Sequence, residues 1–246
     1  MYKDVYKEWT EKVRDGALRA ELASIAGDEK EIENRFYREL QFGTGGLRGE
    51  IGAGTNCMNI YTVGKATQGV ADYVKGSGGD TAVISYDSRI GSDVFARRAA
   101  CVFAANGIRV HLVRELMPTP FLSFAVRYFH AAVGVMITAS HLPFNKNGLK
   151  FFTQEGGLEG KDISEILSFA AEGKALTPDK NGSVREINYI DAYAESLVKF
   201  VREKTGREKP LSGKKIIVDA GNGAGGFYVD KVLKPLGADT EGSQFL

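Results

Sequence analysis

Four short stretches of this sequence carry residue types that could do chemistry. The richest runs Gly134-Val135-Met136-Ile137-Thr138-Ala139-Ser140-His141-Leu142-Pro143-Phe144-Asn145-Lys146-Asn147-Gly148-Leu149-Lys150-Phe151-Phe152. An apolar strand ends at Thr138, Asn147-Gly148 is a turn signal, and a second apolar strand begins at Leu149. Such a hairpin predicts Ser140 and Lys150 at one mouth, at the carboxyl end of the first strand, where open α/β sheets place their ligands. Ser140 is then an exposed hydroxyl facing a cation, with His141 beside it. A hydroxyl that carries or receives a phosphoryl group needs neighbouring positive charge more than covalent help. An ordinary serine on a surface hairpin is the plain alternative. The segment does not match G-x-S-x-G, so a hydrolase triad gains no support.

The second stretch is Phe42-Gly43-Thr44-Gly45-Gly46-Leu47-Arg48-Gly49. Its glycines around one arginine suit a backbone folded close to an anion, with Arg48 as a fork for phosphate; a flexible connection with a solvated arginine has the same composition. The third, Tyr86-Asp87-Ser88-Arg89, ends a strand. An Asp-Arg pair there reads first as a structural ion pair holding a loop. The fourth, Gly221-Asn222-Gly223-Ala224-Gly225-Gly226, fits G-x-G-x-x-G after a strand, with Asp239 near the ribose-binding position. A dinucleotide domain needs further βα units, however, and only about twenty residues follow. Gly64-Lys65 lacks the upstream glycine of a P-loop, and His111, His130 and His141 have no metal-ligand spacing to one another or to the cysteines. His130 reads as the end of a helix.

The elements that must position these residues alternate. The first forty residues read as helix, with a capping-box pattern at Asp28-Glu29-Lys30-Glu31 and an apolar stripe of Ile32, Phe36 and Leu40. Thr62 is the expected cap of a helix ended by Gly76. Strands are expected at 81–86, 108–113 and 132–138, with helices at 92–106 and from Thr119 to about Tyr128, proline standing at the first helical position. A helix follows from Asp162 to about Ala171, then a polar, irregular segment at 173–186, a helix from Tyr189 to about Lys204, and a strand from Lys215 to Asp219. Alternating strands and helices of this spacing predict an α/β sheet covered on both faces. The composition shift near 175–188 marks a candidate domain boundary. About sixty residues beyond it are too few for a second α/β unit with a good core.

Composition narrows the classes. With 32 Lys and Arg against 31 Asp and Glu, the chain is not built to blanket nucleic acid or an anionic membrane. Two cysteines, Cys57 and Cys101, argue against a disulfide scaffold or a cysteine-rich zinc site and fit a reducing compartment. The N-terminus has no signal-peptide core, and the longest apolar run, Ala131 to Ala139, is far short of a membrane span. A soluble, cytoplasmic protein is expected. Thirty glycines, clustered at 43–54, 76–79, 156–160 and 221–226, exceed the usual share and mark places of positive φ or close approach.

Taken in order, these segments resemble the α-D-phosphohexomutase superfamily, in its phosphoglucomutase and phosphomannomutase branch. Thr138-Ala139-Ser140-His141, with Pro143 and Lys150, is similar to the family's phosphoserine loop; residues 42–49 are similar to its N-terminal arginine loop. Val218-Asp219-Ala220-Gly221-Asn222-Gly223-Ala224-Gly225 resembles the start of its second domain, which accounts for the glycine pattern without a dinucleotide. The likeness spans roughly residues 30 to 246. It implies a layered α/β/α domain with a mixed sheet at 1–187, then the incomplete start of a second similar α/β domain at 188–246, the family's third and fourth domains being absent from this sequence.

The implied activity interconverts the 1-phosphate and 6-phosphate of a hexose, glucose or mannose or both, through a phosphoserine at Ser140 and a bisphosphate intermediate. Lys150 and Arg48 would assist proton movement and charge stabilisation, and His141 would support the loop. Thr44 and Gly45 would join Arg48 and Lys150 at phosphate, with Asp87 and Arg89 as supporting residues. Mg²⁺ would bind an oxygen of the Ser140 phosphate, and glucose 1,6-bisphosphate would serve as activator. Two departures stand out: Leu142 replaces the asparagine of many relatives, and the family's Asp-x-Asp-x-Asp-Arg metal loop is nowhere in these residues. The chain alone is therefore expected to be catalytically inert, and oligomeric state is left open. Two rival expectations are a non-catalytic phosphosugar-binding module and a dinucleotide-dependent oxidoreductase.

Overall fold

The computed structural model describes residues 1–43, 46–158, 160–172 and 182–244. Three helices come first: α1 (Tyr2–Lys12), α2 (Gly16–Ser24) and α3 (Glu29–Phe36). Asp15 and Asp28 cap α2 and α3 by accepting the N–H of Leu18 and Glu31. They pack on one another around Leu22, Ile32 and Phe36, with Trp9 edge-on to Phe36. The expected stripe stops short: α3 ends at Phe36, and Leu40 packs against the main core instead. The cause is competition for carbonyls. Asn56 donates to Asn34 O and Arg35 O, and Thr55 Oγ1 donates to Arg38 O, so this backbone is claimed by a neighbouring strap.

A seven-stranded mixed sheet forms the body. Its strands are β1 (Phe42–Gly43), β2 (Gly46–Glu50), β3 (Thr81–Tyr86), β4 (Arg109–Val113), β5 (Val133–Ile137), β6 (Lys146–Phe152) and β7 (Ser183–Ile187). They lie in the order β1-β2-β6-β5-β3-β4-β7. β5, β3, β4 and β7 run parallel; β6 and β2 extend the sheet antiparallel beyond β5. The connecting helices are α4 (Ile60–Gly76), α5 (Ser92–Ala105), α6 (Thr119–Tyr128), α7 (Gly160–Glu172) and α8 (Ile190–Thr205). The central strands alternate between two cores, as a pleat of period two requires. Ile84, Val135 and Ile137 join Val70, Phe103 and Ile166 on one face; Val83 and Met136 join Phe121 and Tyr193 on the other. The result is the layered α/β/α arrangement with a mixed sheet.

Several expectations are corrected. Asn59, not Thr62, caps α4: its Oδ1 accepts the N–H of Tyr61 and Thr62, while Thr62 Oγ1 accepts the Asn59 N–H. The same buried amide donates to Gly52 O and Gly54 O, ties that a serine or threonine hydroxyl cannot supply. Asn147-Gly148 is not a turn. Both lie inside β6, and the connection from β5 to β6 falls at residues 138–145. Asn147 is fully buried, its Nδ2 donating to Ile90 O and Ser92 Oγ, so this amide serves a tertiary tie.

β7 falls where an irregular segment was expected. Only Ile187 of its five residues is buried, and an exposed edge strand carries no apolar run to announce it. The expected strand at Lys215–Asp219 is instead a pair of isolated bridges, Lys215 to Asp239 and Asp219 to Gln244. After the glycine run the chain makes a π-helical turn at Val229–Leu233 rather than a regular helix. Val232 and Leu236 pack on Ala194 and Val198 of α8, which carries this segment.

Because Asn59 both caps α4 and satisfies buried carbonyls, Asn59→Ala is expected to cost about 2–3 kcal/mol, the sum of a lost cap and orphaned polar groups. Chemical denaturation of the two proteins measures it, and a shift below about 0.5 kcal/mol, the scale of a neutral surface change, would contradict this account.

Candidate active site

The connection 138–145 leaves the carboxyl end of β5, beside the parallel strand β3. At that end three side chains interlock. Thr138 Oγ1 donates to Asp87 Oδ2 at 2.5 Å and accepts the Ser140 N–H at 2.9 Å. Asp87 Oδ1 in turn accepts the Arg89 N–H and the Ser92 hydroxyl, each at 3.2 Å, which anchors it to the start of α5. Ser140 itself is exposed and has φ +60°, the left-handed region that a non-glycine residue rarely occupies.

Arg89 reaches across from the end of β3 and donates to four loop carbonyls. Its Nη1 meets Pro143 O and Lys146 O at 3.0 Å each, and its Nη2 meets Ser140 O at 2.6 Å and Leu142 O at 2.7 Å. The Asp-Arg pair is present as well, Nε lying 3.6 Å from Asp87 Oδ2. The expectation of an ion pair that holds a loop described half of this. The four carbonyl bonds, made across a long stretch of sequence, have no signal in it beyond an arginine placed at a strand end.

Two cations come from the antiparallel side of the sheet. Arg48 on β2 lies opposite Gly148, and Lys150 on β6 lies opposite Met136 of β5. Thr138 N donates to Gly148 O, so the pleat sets Arg48, Thr138 and Lys150 on one face, just inside the loop. Gly148 must be glycine here, since a Cβ would run into the Leu47 carbonyl. Arg48 is exposed, and neither its side chain nor that of Lys150 makes a hydrogen bond or ion pair with a described residue. Burial holds Lys150 below the ordinary lysine value, and the Arg48 charge lowers it further against the opposing pull of Asp87. His141 is exposed and its ring bonds no described residue. Thr44 and Gly45 lie outside the described residues. Among the described residues, no group of three or more His, Cys, Asp or Glu side chains is arranged to hold a metal ion, and no helix is long and apolar enough to cross a membrane.

The arrangement is an exposed serine on a braced loop, with two cations that make no ion pair on the sheet face from which the loop leaves. A family model described as phosphoglucomutase/phosphomannomutase, alpha/beta/alpha domain I, matches residues 39–176, more than half of the chain. The chain belongs to the phosphoglucomutase/phosphomannomutase family. A phosphoglucomutase of Staphylococcus aureus strain N315 is 33% identical over 237 residues, covering 93% of this chain and 42% of that protein. One from Staphylococcus haemolyticus is 33% identical over 211 residues, 83% of this chain and 38% of the relative. The crystal structure of a protein assigned as a phosphomannomutase from Thermus thermophilus superposes with a TM-score of 0.71 at 29% identity, over 82% of this chain and 46% of that one. The chain thus spans about two fifths of the length of the curated relatives it matches. The matched residues take in β1 to β6, the loop 138–145 and residues 42–49; they do not reach β7 or the glycine run at 221–226.

The like charge of Arg48 has a measurable consequence. Arg48→Met is expected to raise the midpoint of the Lys150 ammonium titration, since removing a neighbouring cation favours the protonated form, and millimolar inorganic phosphate should raise it in the unaltered protein. Nζ-detected NMR of Lys150 follows both. A midpoint indifferent to Arg48 would mean that burial alone sets it.

Proposed function

We propose that the protein of which this chain is part interconverts the 1-phosphate and 6-phosphate of a hexose, glucose or mannose or both, with Ser140 as the phosphoryl carrier. The observation that carries this reading is the exposed Ser140 on its braced loop, with the Arg48 and Lys150 side chains, neither in an ion pair, on the sheet face from which that loop leaves. In the forward step a sugar hydroxyl attacks the phosphorus of phosphoserine; a new sugar oxygen–phosphorus bond forms, the Ser140 Oγ–phosphorus bond breaks, and a sugar bisphosphate results. After the bisphosphate turns over in the cleft, the free Ser140 hydroxyl accepts the other phosphoryl group and the isomeric monophosphate leaves. Ser140 ends as it began, so phosphorus balances over the cycle.

Lys150 suits the proton part of this work. Its depressed pKa brings its neutral form within easier reach than that of an ordinary lysine, so it can take the proton of the attacking sugar hydroxyl, hand it to Ser140 Oγ as the phosphoryl group departs, and run the same relay backwards on the return step. Arg48, always charged, offers its fork to the phosphoryl oxygens. Thr44 and Gly45 complete the phosphate contacts in this proposal, and His141 lines the loop. Glucose 1,6-bisphosphate would recharge a Ser140 that has lost its phosphate.

A Mg²⁺ ion fits these residues only in part: Ser140 supplies a phosphate oxygen, but the described residues hold no carboxylate cluster to complete a site. No step is therefore assigned to the metal. Residues 1–187 act as the unit bearing the loop, and 188–246 as the opening of a second. The proposal places the protein in the cytoplasm, with a small sugar phosphate rather than nucleic acid or membrane as partner.

Phosphate mapping of the protein purified from its own cells tests the proposal. One phosphate on the Ser140 peptide is expected, transferable to glucose 1-phosphate and absent from Ser140→Ala. Lys150→Met should slow the transfer by about 10²–10⁴, the range of a lost proton-transfer group. A bare Ser140 that glucose 1,6-bisphosphate cannot charge would overturn it and leave a phosphosugar-binding module.

A further inference from the structure

We propose that Arg89 is a positioning residue that holds the segment 138–146 as one body and, with Asp87 and Thr138, locks Ser140 in the left-handed conformation. This rests on the reading of Ser140 as the phosphoryl carrier. A guanidinium has five N–H donors, and here they are all spoken for. Two meet Pro143 O and Lys146 O, two meet Ser140 O and Leu142 O, and the fifth faces the Asp87 carboxylate. The side chain is only 14% exposed. Arg89 therefore has no donor left for a substrate phosphate, unlike Arg48, which has no partner among the described residues.

The four accepting carbonyls belong to residues 140, 142, 143 and 146, and they converge on one planar group. A loop can present them together only by wrapping around it. The other side of the loop is held by a second set of bonds, the Ser140 N–H on Thr138 Oγ1 and that hydroxyl's own bond to Asp87, the carboxylate that Arg89 also faces. Ser140 is thus gripped at both its N–H and its C=O, which fixes the two backbone torsions that aim its side chain.

The grip answers a chemical conflict. Glycine would take φ +60° without strain but has no hydroxyl to carry a phosphoryl group. A serine supplies the hydroxyl and resists the conformation. External bonds to its peptide groups reconcile the two, Arg89 holding the C=O and Thr138 the N–H. A lysine would not replace Arg89, because a point charge cannot address four carbonyls in a plane.

Hydrogen exchange read by mass spectrometry tests this in the protein as made in its own cells and in its Arg89→Gln and Arg89→Lys variants, with phosphoryl uptake by Ser140 from glucose 1,6-bisphosphate measured alongside. In Arg89→Gln the amides of 138–146 should exchange at least about tenfold faster, as expected from losing charge-assisted bonds, while peptides from α4 and α6 stay protected. The maximal rate of uptake should fall, the half-saturating donor concentration should hold, and Arg89→Lys should recover only a minor part of the rate. Unchanged exchange in 138–146 would overturn the proposal. So would a raised half-saturating concentration at an unaltered maximal rate, which would make Arg89 a phosphate ligand. Should Arg89→Gln fail to fold, Thr138→Val opens the other side of the grip and is judged by the same two readouts. If the unaltered protein takes up no phosphoryl group, the carrier role of Ser140 fails, and the exchange data still decide the role of Arg89.

Discussion

The hydrogen bond from Thr138 to Asp87 joins the carboxyl ends of the two central parallel strands, and the candidate site is organised around it. Asp87 directly follows β3 and Thr138 directly follows β5, so one carboxylate fixes how the two strands leave the sheet. Its other oxygen is engaged by the backbone of Arg89 and the hydroxyl of Ser92, which ties the same point to the start of α5. A carboxylate is acceptor-only when ionised and can serve several donors at once. Neutral asparagine in its place would offer one acceptor oxygen and an N–H₂ group that faces the wrong partners. The loop that carries Ser140 is therefore not an independent turn but an outgrowth of the strand pair.

Much of this architecture was legible because the relevant signals are local and periodic. The parallel strands β3 and β5 are buried on both faces and read as continuous apolar runs, and α5 and α6 begin and end close to where glycine, asparagine and proline stand. The segments 42–49 and 134–152 stand out because their composition is unusual for a loop. What escaped was settled at long range. Asn147-Gly148 has the residue types of a tight turn, yet a buried amide hydrogen-bonded to Ile90 and Ser92 makes it strand. β7 is exposed along nearly its whole length and exists only because β4 offers an unpaired edge. Thr62 and Asn59 are both acceptable caps, and the carbonyls of Gly52 and Gly54 decide between them. The role of Arg89 follows the same logic, since its four partners are set by the path of a loop far along the chain.

The mixed sheet explains how two cations from distant segments come to stand together without a counter-ion. Parallel strands gather their outgoing loops at one edge, but a βαβ crossover keeps neighbouring strands' side chains apart from those loops. Adding β6 antiparallel brings the chain straight back beneath the loop it has just made, and places Lys150 there. β2 then pairs with β6 and runs in the same direction as β5, so that Arg48 arrives beside Lys150 on the shared face. Gly46 and Gly148 permit the approach, each sitting where a side chain would meet a neighbouring carbonyl.

Two like charges set side by side repel, and burial of one of them adds to the cost. A structural role would bring an acidic partner to offset it, and acidic partners are plentiful: Glu39, Glu50 and Asp80 all pair with lysine or arginine elsewhere on the surface. The carboxylate that acts on Lys150, Asp87, is instead committed to Thr138, Ser92 and Arg89. Unbalanced positive charge at the mouth of a braced loop is a feature that stabilises the folded chain only once an anion arrives. It also assigns different work to the three basic residues around the loop. Arg89 is saturated with backbone carbonyls and contributes shape. Arg48 is open to solvent and contributes fixed charge. Lys150 is half-buried, and burial together with the Arg48 charge makes it easier to deprotonate than an ordinary lysine.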